Sequence, residues 1–250
     1  MKLDDFYGEL DARFPRELSA EWDNDGIMCR SGDETGRVLI SLDATDGALR
    51  YAIENGYTTV LTHHPLIFRP IRSLDGVGAV SRRVIRAVTG GINIISLHTR
   101  LDAAAGGVND TLASICGLNV LGTFGSSDAP TLGRLSETDR IDVAELAEKV
   151  KISLGCAAVR VTGGGTACRI AVCGGDGGSM IEPARLAGAD VLITGDVGYN
   201  GAEAAAETGL AVIEAGHYYT EFPVCMALSA ITEKLGIESE IYEACPSVIV

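Results

Sequence analysis

The sequence contains four histidines, His63, His64, His98 and His217, and each closes an apolar run that reads as a β-strand: TTVLTHHP, INIISLHT and LAVIEAGH. Two of them open the same short pattern. His98-Thr-Arg-Leu-Asp102 and His217-Tyr-Tyr-Thr-Glu221 each place a carboxylate four residues after an imidazole. Open α/β sheets bind ligands at the carboxyl ends of their strands, so imidazoles and carboxylates gathered there point to a metal. The mixture suits divalent Zn, Fe, Mn or Co. Five or more such donors exceed the four of one tetrahedral zinc. Two adjacent ions, bridged by a carboxylate and a water, account for the excess. One histidine alone is more often a hydrogen-bonded core residue; the joint pattern, with no histidine left over, carries the metal reading. Thr220 reads as an N-cap and Pro223 as first-turn proline of the helix PVCMALSAITEKLG. That places Glu221 at a helix start and His217 in the preceding loop, unlike a mid-helix H-E-x-x-H site.

The surrounding elements must bring these residues together. Leu3, Phe6, Leu10 and Phe14 have helical spacing. GRVLISLDAT reads as a strand, DGALRYAIENG as a helix closed by Gly56, and TTVLTHHP as a strand stopped by Pro65. A basic-faced helix over 79–89, the strand INIISLHT and the helix GVNDTLASICGL follow. Such alternation implies parallel strands joined by right-handed crossovers. Residues 122–136, rich in Gly, Ser and Pro, mark a boundary. Beyond it, Asp142 and Glu145 form a capping signal for a helix reaching about Leu154. AAVRVTG and CRIAVCGG then read as strands joined by a glycine turn.

The second half repeats the first. CRIAVCGGDGG, a helix through ARLAGAD and then VLITGD mirror RVLISLDATDG, a helix through AIENGY and then VLTHH. The repeat sets His98–Asp102 and His217–Glu221 in equivalent places and His64 opposite Asp196. The expectation is therefore two related α/β lobes, 1–124 and 125–250, whose mostly parallel sheets face each other across a metal site. The chain has room to cross back to the first lobe near its C-terminus.

Composition narrows the function classes. Apolar residues make up 46%, charged residues 22% and aromatics only 5%, which suits Ala, Val, Ile and Leu packed in covered strands. A net charge of −14 argues against nucleic acid, which requires clustered Lys and Arg, and sets up a field that attracts cations. No run approaches the roughly 18 apolar residues of a membrane span. The acidic start MKLDDFYGELDARF lacks signal-peptide character, so a cytoplasmic location is expected. The seven cysteines, without CxxC spacing, read as buried free thiols.

The stretches EWDNDG, SLDAT, LTHHPLIFRPIRSLDG, SLHTRLDAAAGGVNDTLA, ITGDVGYN and GHYYTE resemble, in order along the whole chain, the Ngg-interacting-factor-like (YbgI-type) family. Its members are described as dinuclear-metal-centre hexamers and often labelled GTP cyclohydrolase type 2 homologues. The resemblance implies the metal ligands His63, His64, Asp102, His217 and Glu221, with Glu221 bridging. It places His98 in the same pocket, where an acid–base or ligand-orienting role fits. It implies a homo-hexameric ring, for which the apolar C-terminal CPSVIV offers a contact. Asp43 and Asp196 are further pocket candidates, with helix capping as the alternative. Arg100 stands where the family usually has Asn, adding a cation beside the site, and Asn200 stands where a His is common. Arg69 and Arg72 are candidates to hold a phosphate, with solvated surface arginines favoured. Gly163–Gly165 and GGDGG (174–178) read as tight turns in preference to phosphate cradles. The function expected is a metal-dependent hydrolase acting on a small molecule, a purine nucleotide such as GTP in the family's label. The alternative is a metal-binding regulatory or storage protein without turnover.

Overall fold

The structure, a computed structural model, describes residues 1–247. The chain divides into two units: Met1–Ala104 joined by Cys225–Pro246, and Ala105–Val224. The first begins with α1 (Leu3–Arg13), which buries Leu3, Phe6 and Leu10 along one face. Asp4 and Asp5 in its first turn and Arg13 in its last complement the helix dipole. Then come β1 (Gly26–Cys29), β2 (Val38–Ser41), α2 (Asp46–Glu54), β3 (Thr59–Thr62), α3 (Ala79–Thr89), β4 (Asn93–Ser96) and a short α4 (Thr99–Ala103). Strands β2, β3 and β4 lie side by side in parallel, with Ile40, Leu61 and Ile95 in register. Every residue of the three is buried, the pattern of strands covered on both faces. Strand β1 runs antiparallel to β4 at the edge. Thr45 caps α2 by accepting from Ala48 N, and Arg82 and Arg86 of α3 pair with Asp46 on α2.

The second unit contains α5 (Val108–Ile115), β5 (Val120–Ser126), β6 (Ala129–Asp142), α6 (Val143–Leu154), β7 (Arg160–Thr162), β8 (Thr166–Asp176), α7 (Ile181–Leu186), β9 (Val191–Asp196), α8 (Gly198–Thr208), β10 (Ala211–Glu214) and α9 (His217–Glu221). Its parallel trio β8, β9 and β10 has the order of β2, β3 and β4, and β7 lies antiparallel on β10 as β1 does on β4. Side chains alternate between two cores: Ile170, Val172, Val191, Ile193 and Ile213 pack on one face, and Ala171, Cys173, Leu192 and Val212 on the other. Asp142 caps α6 by accepting from Ala144 N, and Gly155 ends that helix in the left-handed region. The chain then returns to the first unit as α10 (Val224–Lys234) and β11 (Ser239–Ile241), which pairs in parallel with β2. Sheet orders are β1-β4-β3-β2-β11 and β5-β6-β8-β9-β10-β7.

Two details differ from the sequence reading, the 122–136 segment and the exposure of two cysteines. Residues 122–136, read as a boundary, form most of the antiparallel pair β5 and β6. Their glycines serve close approach: a Cβ on Gly133 would meet the Phe124 ring, and one on Gly125 the Ala129 carbonyl. Each sheet is built on a parallel trio as expected, with β1 pairing antiparallel at the edge of the first and β5, β6 and β7 pairing antiparallel in the second. Cys168 and Cys245 are exposed, whereas Cys29, Cys156, Cys173 and Cys225 are buried; all seven are free thiols. The apolar tail proposed as a contact lies partly outside the described residues, at 248–250. Among the described residues, no helix is long and apolar enough to cross a membrane.

Arg100 is a fold residue. It is fully buried, with Nη1 2.6 Å from Asp11 Oδ1 and Nε 3.0 Å from the buried Asp25 Oδ2. It also donates to the Phe14 carbonyl and the Tyr7 hydroxyl, tying α4 to α1. Two carboxylates neutralise it there, so it adds no cation to the histidines, contrary to the sequence expectation. Arg100→Leu strands the buried Asp25 charge and is expected to destabilise the protein by about 3–5 kcal/mol. Asp11→Asn, at the exposed end, should cost about 1 kcal/mol or less. Urea unfolding measures both; equal small losses would show that the guanidinium is not structural.

Candidate functional site

In the first unit the histidines come from two neighbouring strand ends. β3 runs into His63 and His64, and β4 into His98, which precedes α4. The imidazole centroids lie 4.9 Å apart for His63–His64, 5.4 Å for His63–His98 and 5.9 Å for His64–His98. Each ring is held at Nδ1. His63 Nδ1 lies 3.1 Å from the Leu97 carbonyl, His64 Nδ1 3.0 Å from Asp43 Oδ1, and His98 Nδ1 2.7 Å from Asp23 Oδ1. A carbonyl only accepts, so His63 carries its proton on Nδ1 and turns the Nε2 lone pair inward. That Nε2 lies 3.6 Å from Asp102 Oδ1, with His63 fully buried. A lone pair facing a carboxylate in a buried setting is stable only with a proton or cation between them.

Asp23 is the best-anchored of these carboxylates. It also accepts from the backbone N–H and the hydroxyl of Thr99, and Thr99 in turn accepts from Ala20 N. Burial pulls its pKa up, yet the hydrogen bond and charge of His98 and the two bonds from Thr99 outweigh this and hold it at about 2.

In the second unit α9 presents His217 and Glu221 one turn apart, with Glu221 buried. His217 Nδ1 lies 3.3 Å from Asp196 Oδ2 and its Nε2 3.0 Å from Glu221 Oε2. One imidazole between two carboxylates again calls for a proton or cation. The sequence places His217 in a loop and Thr220 at an N-cap. Gly216, with φ of 89°, instead lets the chain turn early, so the helix starts at His217. The Thr220 hydroxyl donates back into that helix and accepts from Gly175 N.

The first unit thus assembles His63, His64, His98, Asp43 and Asp102, and the second His217, Glu221 and Asp196. Arg100 is elsewhere, and Arg69 and Arg72 are exposed in the segment after β3. Gly163–Gly165 make a turn between β7 and β8. Sequence reasoning assigned no role to Asp23, although EWDNDG was among the stretches it singled out. Nothing local links residue 23 to residue 98. In each unit one imidazole has Nδ1 held and Nε2 beside a carboxylate, His63 against Asp102 and His217 against Glu221, and such a donor set fits a divalent first-row cation.

Comparisons with known proteins agree with this architecture. The Duf34/NIF3 (NGG1p interacting factor 3) family matches residues 1–245. A Clostridium perfringens protein named GTP cyclohydrolase 1 type 2 homolog is 32% identical over 248 residues, covering 96% of this chain and 95% of its own. A Lactococcus lactis protein of the same name is 33% identical over 224 residues, covering 87% and 86%. A crystal structure of a Staphylococcus aureus hypothetical protein superimposes with a TM-score of 0.90 at 27% identity, covering 100% of this chain and 99% of that one.

Glu221 keeps its place only because residue 175 lacks a Cβ. At Gly175, with φ of 69°, an added Cβ would lie 2.0 Å from Glu221 Oε1 and 3.4 Å from His217 Nε2. Its neighbour Gly174 donates to Asn109 Oδ1 on α5, which fixes the backbone under the carboxylate. Gly175→Ala is expected to destabilise the protein by about 1–3 kcal/mol through strained backbone and a displaced Glu221. Gly164→Ala, which meets nothing within 4 Å, should stay within about 0.5 kcal/mol. Thermal melts of the pair decide; equal melting points would mean that Glu221 needs no such seat.

Proposed function

This chain belongs to the Duf34/NIF3 family, and from that premise we propose that it is a metal-dependent hydrolase with a dinuclear centre. His63, His64, Asp102, His217 and Glu221 are the proposed ligands, Glu221 bridging two divalent ions. The observation that carries the reading is the common Nδ1 anchoring of all four imidazoles, to the Leu97 carbonyl, Asp43, Asp23 and Asp196. Metal-binding histidines are held in this way by an outer oxygen that fixes tautomer and ring direction. A core histidine with a single satisfied bond needs no carboxylate at its other nitrogen, which His63 and His217 both have.

When bound, two such ions supply Lewis acidity and lower the pKa of a water. The protein's own part is positional and protonic. Asp43 and Asp196 orient His64 and His217. His98, held by Asp23, keeps its outward nitrogen free to exchange a proton with a substrate atom. The printed names of the relatives support a purine nucleotide such as GTP as first substrate to test. Assembly into a hexamer is part of the same proposal.

Elemental analysis after chelation and reconstitution with Zn²⁺ or Mn²⁺ should give two ions per chain. Glu221→Gln should weaken both together. One ion at saturation, or loss of one alone, would remove the bridge. On a nucleotide hydrolysis panel run with and without chelator, activity should vanish with the metals. Two tightly held ions without turnover on any substrate would favour storage or regulation instead. His98→Gln should keep both ions and lower turnover by about 10²–10⁴-fold; loss of metal would make His98 a ligand. Light scattering should report six chains per particle, and a monomer would overturn the assembly.

A further inference from the structure

Two large aromatic side chains stand exposed beside His98. Trp22 is 55% exposed and Phe68 44% exposed. Their ring centroids lie 6.0 Å apart with planes at 77°. Trp22 is 6.2 Å from the His98 ring at 74°, and Phe68 is 5.9 Å from it at 85°. The three rings therefore form a corner of nearly perpendicular planes. Its histidine side continues into His63 and His64.

This corner is rigid, unlike a chance pair of surface hydrophobes. Trp22 precedes Asp23, which is bound to His98 and Thr99. Asn24 donates to the Ile67 carbonyl, next to Phe68, and so ties the two aromatic segments together. Asp25 is buried against Ser19 and Arg100. Three consecutive polar residues thus fix Trp22 against solvent, and one of them also fixes Phe68. Holding apolar rings in water gains the fold little, whereas a pre-ordered aromatic surface lowers the entropy lost on binding a flat ligand.

We propose that Trp22 and Phe68 form a stacking platform for a planar heteroaromatic ring of the substrate. The ring lies on the indole face with its edge toward Phe68, and its reacting atom is directed to the His98 side. Offset and edge-to-face packing of this kind is the preferred geometry of π systems. The ring is neutral or carries an anionic substituent, because a cationic one would be repelled by divalent ions and by Arg69, which adjoins Phe68. The inference rests on the hydrolase reading for its reacting atom, but the platform itself is testable without turnover.

Trp22 is the only tryptophan in the chain, so its emission, excited at the red edge of its absorption, reports directly on stacking. The protein is titrated with guanosine and guanosine monophosphate, with ribose 5-phosphate as the ring-free control and choline as the cationic control. Each titration is run on metal-free and Zn²⁺-loaded protein. Both guanine compounds should quench saturably in both forms, and neither control should. Phe68→Ala should weaken that binding by roughly 5- to 150-fold, with Phe68→Leu as a second variant if Ala fails to fold. Trp22→Leu, followed by calorimetry, should lose affinity by a similar factor. Absence of quenching by either ring, quenching by choline instead, or unchanged affinity in Phe68→Ala would overturn the platform. So would dissociation of the oligomer by these variants, since the corner would then be an interface between copies. Metal content is measured on the same samples. Two ions without ring binding would sink the platform alone, and ring binding without ions would sink the metal centre alone.

Discussion

The position of every imidazole depends on an oxygen acceptor at its Nδ1. An unanchored histidine at a strand end has two tautomers and a freely turning ring. Here the backbone does the anchoring once, through Leu97, and carboxylates do it three times, through Asp43, Asp23 and Asp196. Each anchor comes from a different segment from its histidine, so the sheets must be in register before the rings are aimed. The strand pairs β3–β4 and β9–β10 supply that register, Leu61 to Ile95 and Ile193 to Ile213. Fold and chemistry therefore meet at the hydrogen-bond ladder, whose fully buried strands leave little room for slippage.

The duplicated plan was legible because it shows in runs of buried residues. β2, β3 and β4 in one unit, and β9, β10 and the Ile170–Cys173 stretch of β8 in the other, are buried runs with an Asp or His at or shortly after their ends. Helix limits were legible where a cap or a left-handed glycine marks them, as at Thr45, Asp142 and Gly155. The hairpin of β5 and β6 was not, because glycine and serine have two uses. They break chains, and they also let strands and rings approach closely, as Gly133 does under Phe124. Only the partner distinguishes the two.

For the candidate site, residue type and strand position singled out His63, His64, His98, Asp102, His217 and Glu221 as candidates, and the structure gathers the first four in one unit and pairs the last two in the other. Type and position were insufficient for Arg100, whose neighbours in sequence are site residues but whose side chain turns to Asp11 and Asp25 on the other side of α4. They were also silent on Asp23, since its contact with His98 spans 75 residues. A buried charge is always explained by its partner, and sequence gives partners only when they are local. Glu221 makes the same point through space: its seat is the missing side chain of Gly175.

The arrangement carries an energetic tension of its own. His63 Nε2 against the buried Asp102, and the half-exposed His217 between Asp196 and the buried Glu221, place nitrogen and carboxylate lone pairs close together. A neutral imidazole has one N–H, so at His63 Nε2 and at one of the two His217 nitrogens the carboxylate faces a lone pair, and an added proton or cation relieves that contact. Any positive charge placed there would remove repulsion as well as form bonds. The chain's net charge of −14 adds to this, since it raises cation concentration near the protein at low ionic strength. The rigid Asp23–His98–Thr99 cluster is different. Its carboxylate accepts from four donors, the backbone N–H groups of Asn24 and Thr99, the Thr99 hydroxyl and His98 Nδ1, so its geometry is fixed by the protein's own groups and holds His98 and the neighbouring Trp22 in place.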